Sequence, residues 1–364
     1  RCEMTVQTIA GILDIDDSER TFVEGVGQQQ VFAATQEYVA MVNEDLARVT
    51  SLFIERTTED HKFRYYLPAD GELQRVSELG RPAERKVTGS WDVAVPHATF
   101  GDAPGTSRID LAYMTLADYQ RHVDGIALRA QNTLRKEIMR TLFDNINYNF
   151  VDKLRGTLAV KALANTDGTL YPPKMGETTA ADAEHYAESG YLVSAISNTN
   201  NPIKTISRAL RDRFGANGDR RRRVILIASG MQDYVEALAD FDPIDDTNIS
   251  AGANTDRVLN LPVAIPGEII GYCNEAYISV WNWLPATYSL GIDLQAEKPL
   301  QMRVDPGYTN LPRGLSLVTE SDAFPLAKSD WQWRFGLGVV NRLNGYVMEC
   351  AAGGSYSVPT GYSH

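Results

Sequence analysis

Cysteine is scarce in this 364-residue chain: Cys2, Cys273 and Cys350 are all there is. Three scattered thiols are too few for a disulfide framework or a metal knuckle, and they read as free, two of them in strands. Histidine is little commoner. His61, His97, His122, His185 and His364 have no metal-ligand spacing, and no HExxH or paired His–carboxylate motif occurs. Each reads as a surface residue or packing filler. Phosphate loops, a GxSxG elbow and a Walker lysine are also missing. Gly336-Leu337-Gly338 falls inside a predicted strand, where a dinucleotide fingerprint needs a strand-to-helix turn. The acidic patch Asp14, Asp16, Asp17 and Glu19 lacks the glycine and the glutamate of a calcium loop. No catalytic, cofactor-binding or metal-ligating residue is therefore assigned, no cofactor is expected, and the chain does not read as an enzyme.

Positive charge is short as well. A formal net charge of −12 argues against a protein that grips phosphates, because counterion release needs a basic surface. It leaves room for one that surrounds nucleic acid without holding it tightly. The basic run Arg220–Arg223 reads as a helix-to-strand connection paired with neighbouring carboxylates, and Asp245/Asp246 as a solvated loop tip. No apolar run approaches the ~20 residues of a membrane span, and the first thirty residues lack a signal-peptide pattern. The expectation is a soluble, intracellular protein. Its start at Arg1 leaves open both a removed leader and a remnant end.

What is present is ordinary globular material, 43% hydrophobic and 23% charged, enough for two domains. One stretch dominates. From Thr115 to Ile146, apolar residues at Leu116, Tyr119, Val123, Ile126, Ala127, Ala130, Leu134, Ile138, Leu142 and Ile146 make a single helical stripe. Thr115 and Asp118 stand in capping-box position. A rod of about 45 Å exceeds what a compact domain needs.

Around it the chain changes character. Residues 1–28 read as an extended arm that gains order by lying on something else. Gln29–Glu55 has helical periodicity, weakened near Val49-Thr50. Residues 56–114 read as ribbon: strands at Lys62–Leu67 and Leu73–Val76 flank the turn Pro68-Ala69-Asp70-Gly71, and further strands are expected at Trp91–Phe100 and Arg108–Met114. Such a ribbon is marginal alone in water; something outside the chain should cover it. After the long helix the pattern is α/β. Helices are expected over Ala180–Ser197 and from Asn201-Pro202 to Gly215, a buried strand at Val224–Ala228, and a helix capped by Ser229. Phe241–Asp256 reads as an exposed tip. Strands are expected at Glu268–Cys273, Ala276–Trp283, Tyr288–Ile292, Leu300–Val304, Gly314–Thr319, Trp331–Val340 and Tyr346–Ala351, with a tight turn at Asn344-Gly345. The tail GGSYSVPTGYSH reads as loose.

The order of arm, helix, ribbon, very long helix, α/β region with an exposed tip and returning strands resembles the major capsid proteins of tailed bacteriophages, a fold shared with encapsulin shells. Glu55–Phe100, Thr115–Ile146 and SLVTESDAFPLAKSDWQWRFGLGVVNRLNGYVMEC carry the likeness. The resemblance implies an α+β fold with an N-terminal arm (1–28), a peripheral-domain helix (29–55) and an extended β-hairpin loop (56–105). It places the peripheral domain with its spine helix at 106–154, the mixed α/β axial domain at 155–297, peripheral strands at 298–345, and a closing axial strand and tail at 346–364. It further implies self-assembly into hexamers and pentamers of an icosahedral head enclosing double-stranded DNA, in the virion after assembly in the host cytoplasm. Expected partners are copies of itself and scaffolding, portal and decoration proteins, with no membrane. Some family members join subunits through a loop lysine and a peripheral-domain asparagine; Lys62, Lys86, Asn341 and Asn344 sit in the corresponding regions but match no family motif, so that chemistry is not carried over. An encapsulin-like compartment shell and an α/β enzyme with a β-ribbon oligomerisation arm are the alternatives.

Overall fold

The structure, a computed structural model, describes residues 28–66, 73–76, 78, 80–82, 90–103, 115–163, 170–171, 181–182, 186–213, 222–243, 265–309, 311–318 and 330–364. The expected arm up to residue 27, the Pro68–Gly71 turn, the Arg108–Met114 strand, Lys86, His185, Gly215, Arg220 and Arg221, and the tip beyond Pro243 lie outside these residues.

In chain order the elements are α1 (Gln28–Thr50), β1 (Ile54–Thr58), β2 (Lys62–Tyr66), β3 (Ser90–Ala94), β4 (Ala98–Asp102) and α2 (Leu116–Phe143). Next come β5 (Tyr148–Asp152), β6 (Gly156–Val160), β7 (Leu170–Tyr171), β8 (Ala181–Asp182), β9 (Tyr186–Glu188), α3 (Pro202–Arg213), β10 (Arg223–Ile227), α4 (Gln232–Glu236) and β11 (Phe241–Pro243). The rest are β12 (Glu268–Cys273), β13 (Ala276–Val280), β14 (Tyr288–Asp293), β15 (Leu300–Arg303), β16 (Ser316–Val318), β17 (Asp330–Val339) and β18 (Tyr346–Glu349). Two compact units result. The first holds residues up to Ala47, Ala98–Arg135 and Asp305–Phe335; the second holds Arg48–His97, Lys136–Val304 and Gly336–His364.

The long helix starts where its cap requires and ends at Phe143, short of the expected Ile146, which lies outside it and is exposed. The Thr115 hydroxyl accepts from Asp118 N (3.2 Å) and donates to the Asp118 carboxylate (2.7 Å), satisfying an N-terminal donor that no helix turn can reach. Its 28 residues extend about 42 Å. In the first unit α1 lies along α2, with Tyr38 Oη donating to Asp124 (2.7 Å) and Thr35 within 3.1 Å of the Tyr119 hydroxyl. There, too, β4 and β16 pair with the first half of β17.

The second unit is built on a seven-stranded sheet in the order β11-β12-β13-β10-β14-β18-β9. Its centre, β10, has every residue buried and pairs parallel with β13 and antiparallel with β14. Helix α3 opens at Pro202 after Asn201, whose side chain accepts from Lys204 N (3.0 Å). It sets Ile203, Ile206 and Leu210, all wholly buried, against the sheet. Elsewhere in this unit β1 pairs parallel with β15, and β15 pairs with the second half of β17.

Several expectations are corrected. Helix α1 ends at Thr50, because Leu52 and Phe53 are buried as the chain turns into β1. Trp91–Phe100 is two strands: Val95-Pro96-His97 interrupts the pairing, since proline offers no donor. Leu73–Val76 has no strand pairing. The helix expected over Ala180–Ser197 is instead β8, β9 and a 3-10 turn at Val193–Ala195, with Gly190 at φ 75° turning the chain. Phe241–Pro243, read as loop, is an edge strand paired with β12. The hairpin β5–β6 was not anticipated. Its turn is made by Asp152, whose side chain accepts from Leu154 N and Arg155 N, and by Gly156 at φ 73°.

The tail is not loose. Tyr356 is 7% exposed and donates to the carbonyl of Phe143, the last residue of α2, occupying one of the helix's orphan acceptors. Ser357 bonds to Glu349 (2.8 Å), and His364 to Asp144 (2.7 Å) while stacking on Tyr148.

Candidate functional site

The ribbon ahead of the long helix begins in the second unit. Its base is the hairpin β2–β3, in register from Lys62↔Ala94 to Tyr66↔Ser90. One face is held inward. Tyr65 stacks on Trp91 at 4.7 Å, Trp91 Nε1 donates to Val340 O (3.1 Å), and the Arg342 guanidinium sits 5.9 Å from the Trp91 ring. Val93 and Leu343 complete this cluster. On the outer face Lys62 and Arg64 converge on Asp92, at 3.1 Å from Nζ and 2.6 Å from Nε. The hydrogen bond from Arg64, followed by that from Lys62, holds the Asp92 carboxyl well below the usual carboxylate range. These surface pairs fix geometry more than they stabilise.

Past this base the ribbon presents apolar side chains to solvent: Tyr66 is 73% exposed, Leu73 fully exposed and Val76 48% exposed. A two-stranded hairpin such as β2–β3 offers little cover for such residues.

Lys62, Asn341 and Asn344 each have a partner in their own unit. Asn341 Nδ2 donates to Glu297 O (2.6 Å) and its Oδ1 accepts from Leu343 N. Asn344 Nδ2 donates to Asp293 O and Glu297 O (3.0 Å each), and its Oδ1 accepts from Asp293 N (2.9 Å). Both asparagines are buried and pin the turn before Gly345, which adopts φ 111°.

Buried ions, unforeseen from the sequence, brace the same region. Arg303 Nη1 lies 2.9 Å from Asp152 and donates to Val95 O (3.1 Å), with both side chains 8% exposed. Burial raises the Asp152 pKa, but the hydrogen bonds from Leu154 N and Arg303 outweigh it, so the folded value is depressed. That stabilisation is complete above the ordinary carboxylate range and is lost as pH falls through the depressed value. Arg303→Met is expected to cost about 3 kcal/mol in urea unfolding, because it strands a buried carboxylate. The double variant Arg303→Met/Asp152→Ala should lose less than the two single losses summed.

Arg223, from the basic run, is 1% exposed and pairs with Glu275 at 3.2 Å. The expected pairing with a carboxylate is present, but this guanidinium is buried, not solvated. Glu275 and Asn274 form the β12–β13 turn at φ 65° and 47°. Cys273 and Cys350 are buried free thiols, their pKa values pushed up to about 11 by burial, which makes them inert; Cys350 falls just past β18. Among the described residues no group of three or more His, Cys, Asp or Glu could hold a metal ion, and no helix is long and apolar enough to cross a membrane.

No protein-family model matches the chain, and no curated protein matches it. Solved structures do. A chain of Mycobacterium phage Patience superposes with a TM-score of 0.68 at 17% identity, covering 98% of each chain. The capsid of Ralstonia phage GP4 covers 97% of this chain and 96% of its own at a TM-score of 0.47 and 12% identity. For the capsid of cyanophage P-SCSP1u the figures are 83%, 88%, 0.47 and 10%. The chain shares the fold of the Mycobacterium phage Patience chain along nearly the whole of both.

Proposed function

We propose that this chain is a major capsid protein, a coat subunit that assembles with copies of itself into hexamers and pentamers of an icosahedral head around double-stranded DNA. The observation that carries the reading is the end-to-end likeness to the Mycobacterium phage Patience chain, 98% of each at a TM-score of 0.68. The exposed ribbon supports it. A shell subunit buries apolar area on its neighbours after assembly, and Tyr66, Leu73 and Val76 are held out for that purpose. Residues 56–105 serve as the extended loop, 1–28 as the arm, 29–55, 106–154 and 298–345 as the peripheral domain, and 155–297 with 346–364 as the axial domain. The role is structural, without catalysis or cofactor. Scaffolding, portal and decoration proteins are the further partners, in a virion assembled in the host cytoplasm. A net charge of −12 suits a container, since weak attraction lets DNA pack without adhering.

Light scattering and negative-stain microscopy of the purified protein test this. Megadalton closed particles, or pentamers and hexamers, are the expected result. A small dimer whose melting shifts with a ligand contradicts it and favours an enzyme.

A further inference from the structure

The hairpin β5–β6 has no strand partner among the described residues beyond its own two strands. Its inner face carries Leu158 and Val160, both buried. Its outer face is Asn149, Val151, Thr157 and Ala159, all exposed and none ionisable. Val151 is 73% exposed and Leu154, at the turn, 76%. Ile146, just ahead of β5, is 63% exposed as well. Two exposed cations, Lys153 and Arg155, flank Leu154 at the tip. An apolar centre with a charged rim is the anatomy of an interface.

The same unit carries an exposed patch of opposite charge. At the corner formed by α4 and β11, Tyr234 is 38% exposed among the exposed carboxylates Asp233, Glu236 and Asp240. Asn198 accepts from Ala239 N (2.9 Å), tying this corner to the loop that bears Leu192, 55% exposed. Asp233 and Asp240 make no ion pair among the described residues.

We propose that the basic, apolar tip of β5–β6 on one copy docks on the acidic, aromatic corner at α4 of the next copy. The occupant is a second copy because one chain carries both halves of the complementary pair. Joining two different patches makes the contact heterologous, the kind that closes into rings. The charged rim sets register and the apolar centre excludes water. This deepens the shell reading and rests on it.

Full-length variants decide the matter, with particle yield read by gradient sedimentation and folding by circular dichroism. Lys153→Glu/Arg155→Glu and Asp233→Lys/Glu236→Lys should each cut assembled material at least tenfold while melting like the wild type. All four substitutions in one chain should restore most of the yield, because every ring contact again joins opposite charges. Val151→Asp/Leu154→Asp should abolish assembly with the fold intact. If the wild type assembles and the single reversals assemble equally well, or if the combined variant stays unassembled, this docking is wrong and the shell reading stands. A wild type that forms neither rings nor particles overturns both.

Discussion

Gly336→Ala is expected to destabilise the subunit by about 3 kcal/mol or more, at the upper end of what overpacking costs. Gly336 lies in β17 opposite Arg303 of β15, where Val95-Pro96-His97 crosses between β3 and β4. A Cβ here would overlap the Pro96 carbonyl oxygen and crowd His97 Cα. Both obstacles are backbone, so no rotamer change gives relief. Displacing them also strains neighbouring bonds: Val95 N donates to His61 O (3.0 Å) and Val95 O accepts from Arg303. Gly338→Ala makes an informative contrast. Its nearest obstacle is Val95 Cγ2 at 2.9 Å, with the backbone atoms Ala94 O and Val95 Cα no nearer than 3.2 Å, and a smaller loss of roughly 1–2 kcal/mol is expected there. Urea unfolding of the two variants checks the ordering. Equal stability of Gly336→Ala and the wild type contradicts this account of the crossing.

This crossing also shows how far the sequence could be read. Gly-Leu-Gly falls inside a strand as the alternation predicts, yet nothing local says that the glycines admit a segment 240 residues earlier in the chain. Alternation in β17 placed Trp331, Trp333, Phe335, Leu337 and Val339 on one face, and all are at most 4% exposed. It did not show that Gly336 and Gly338 are buried as well, because that depends on the covering segment. Helix α2 was legible because its stripe is long and its cap local. β12 was legible to the residue, lying between clear turn signals. The β5–β6 hairpin escaped because its five-residue strands are short and its turn uses an aspartate side chain and Gly156 in place of Asn-Gly. The β12–β13 turn similarly puts Asn274 and Glu275 at positive φ, where glycine is the usual signal. Arg223, Arg303 and Asp152 look like surface charges in composition; their burial rests on partners tens to hundreds of residues away. In the tail, glycines and serines give a loop-like composition, while Tyr356 and His364 make the docking contacts.

Shortening the ribbon should also abolish assembly. Tyr66 and Ser90 face each other at the end of β2–β3, so residues 67–89 can be replaced by Asn-Gly, the two-residue turn that suits an antiparallel pair. The base keeps its Tyr65–Trp91 stack, its Asp92 ion pairs and the bond from Trp91 to Val340. Little folding energy should be lost. Leu73 and Val76 are exposed in the subunit, and a shorter connection lowers the entropy cost of closing the hairpin. What disappears is apolar surface, Leu73 and Val76 included, that the subunit leaves exposed. The variant should melt within a few degrees of the wild type.

The most direct measurement is the mass distribution of the wild type and this shortened-ribbon variant, side by side, by multi-angle light scattering at equal concentration. Closed megadalton particles from the wild type, and a folded, unassembled subunit from the variant, are what a coat protein stabilised by its own copies requires. Particles of the same size and yield from both proteins, or a small ligand-stabilised oligomer from both, would contradict it.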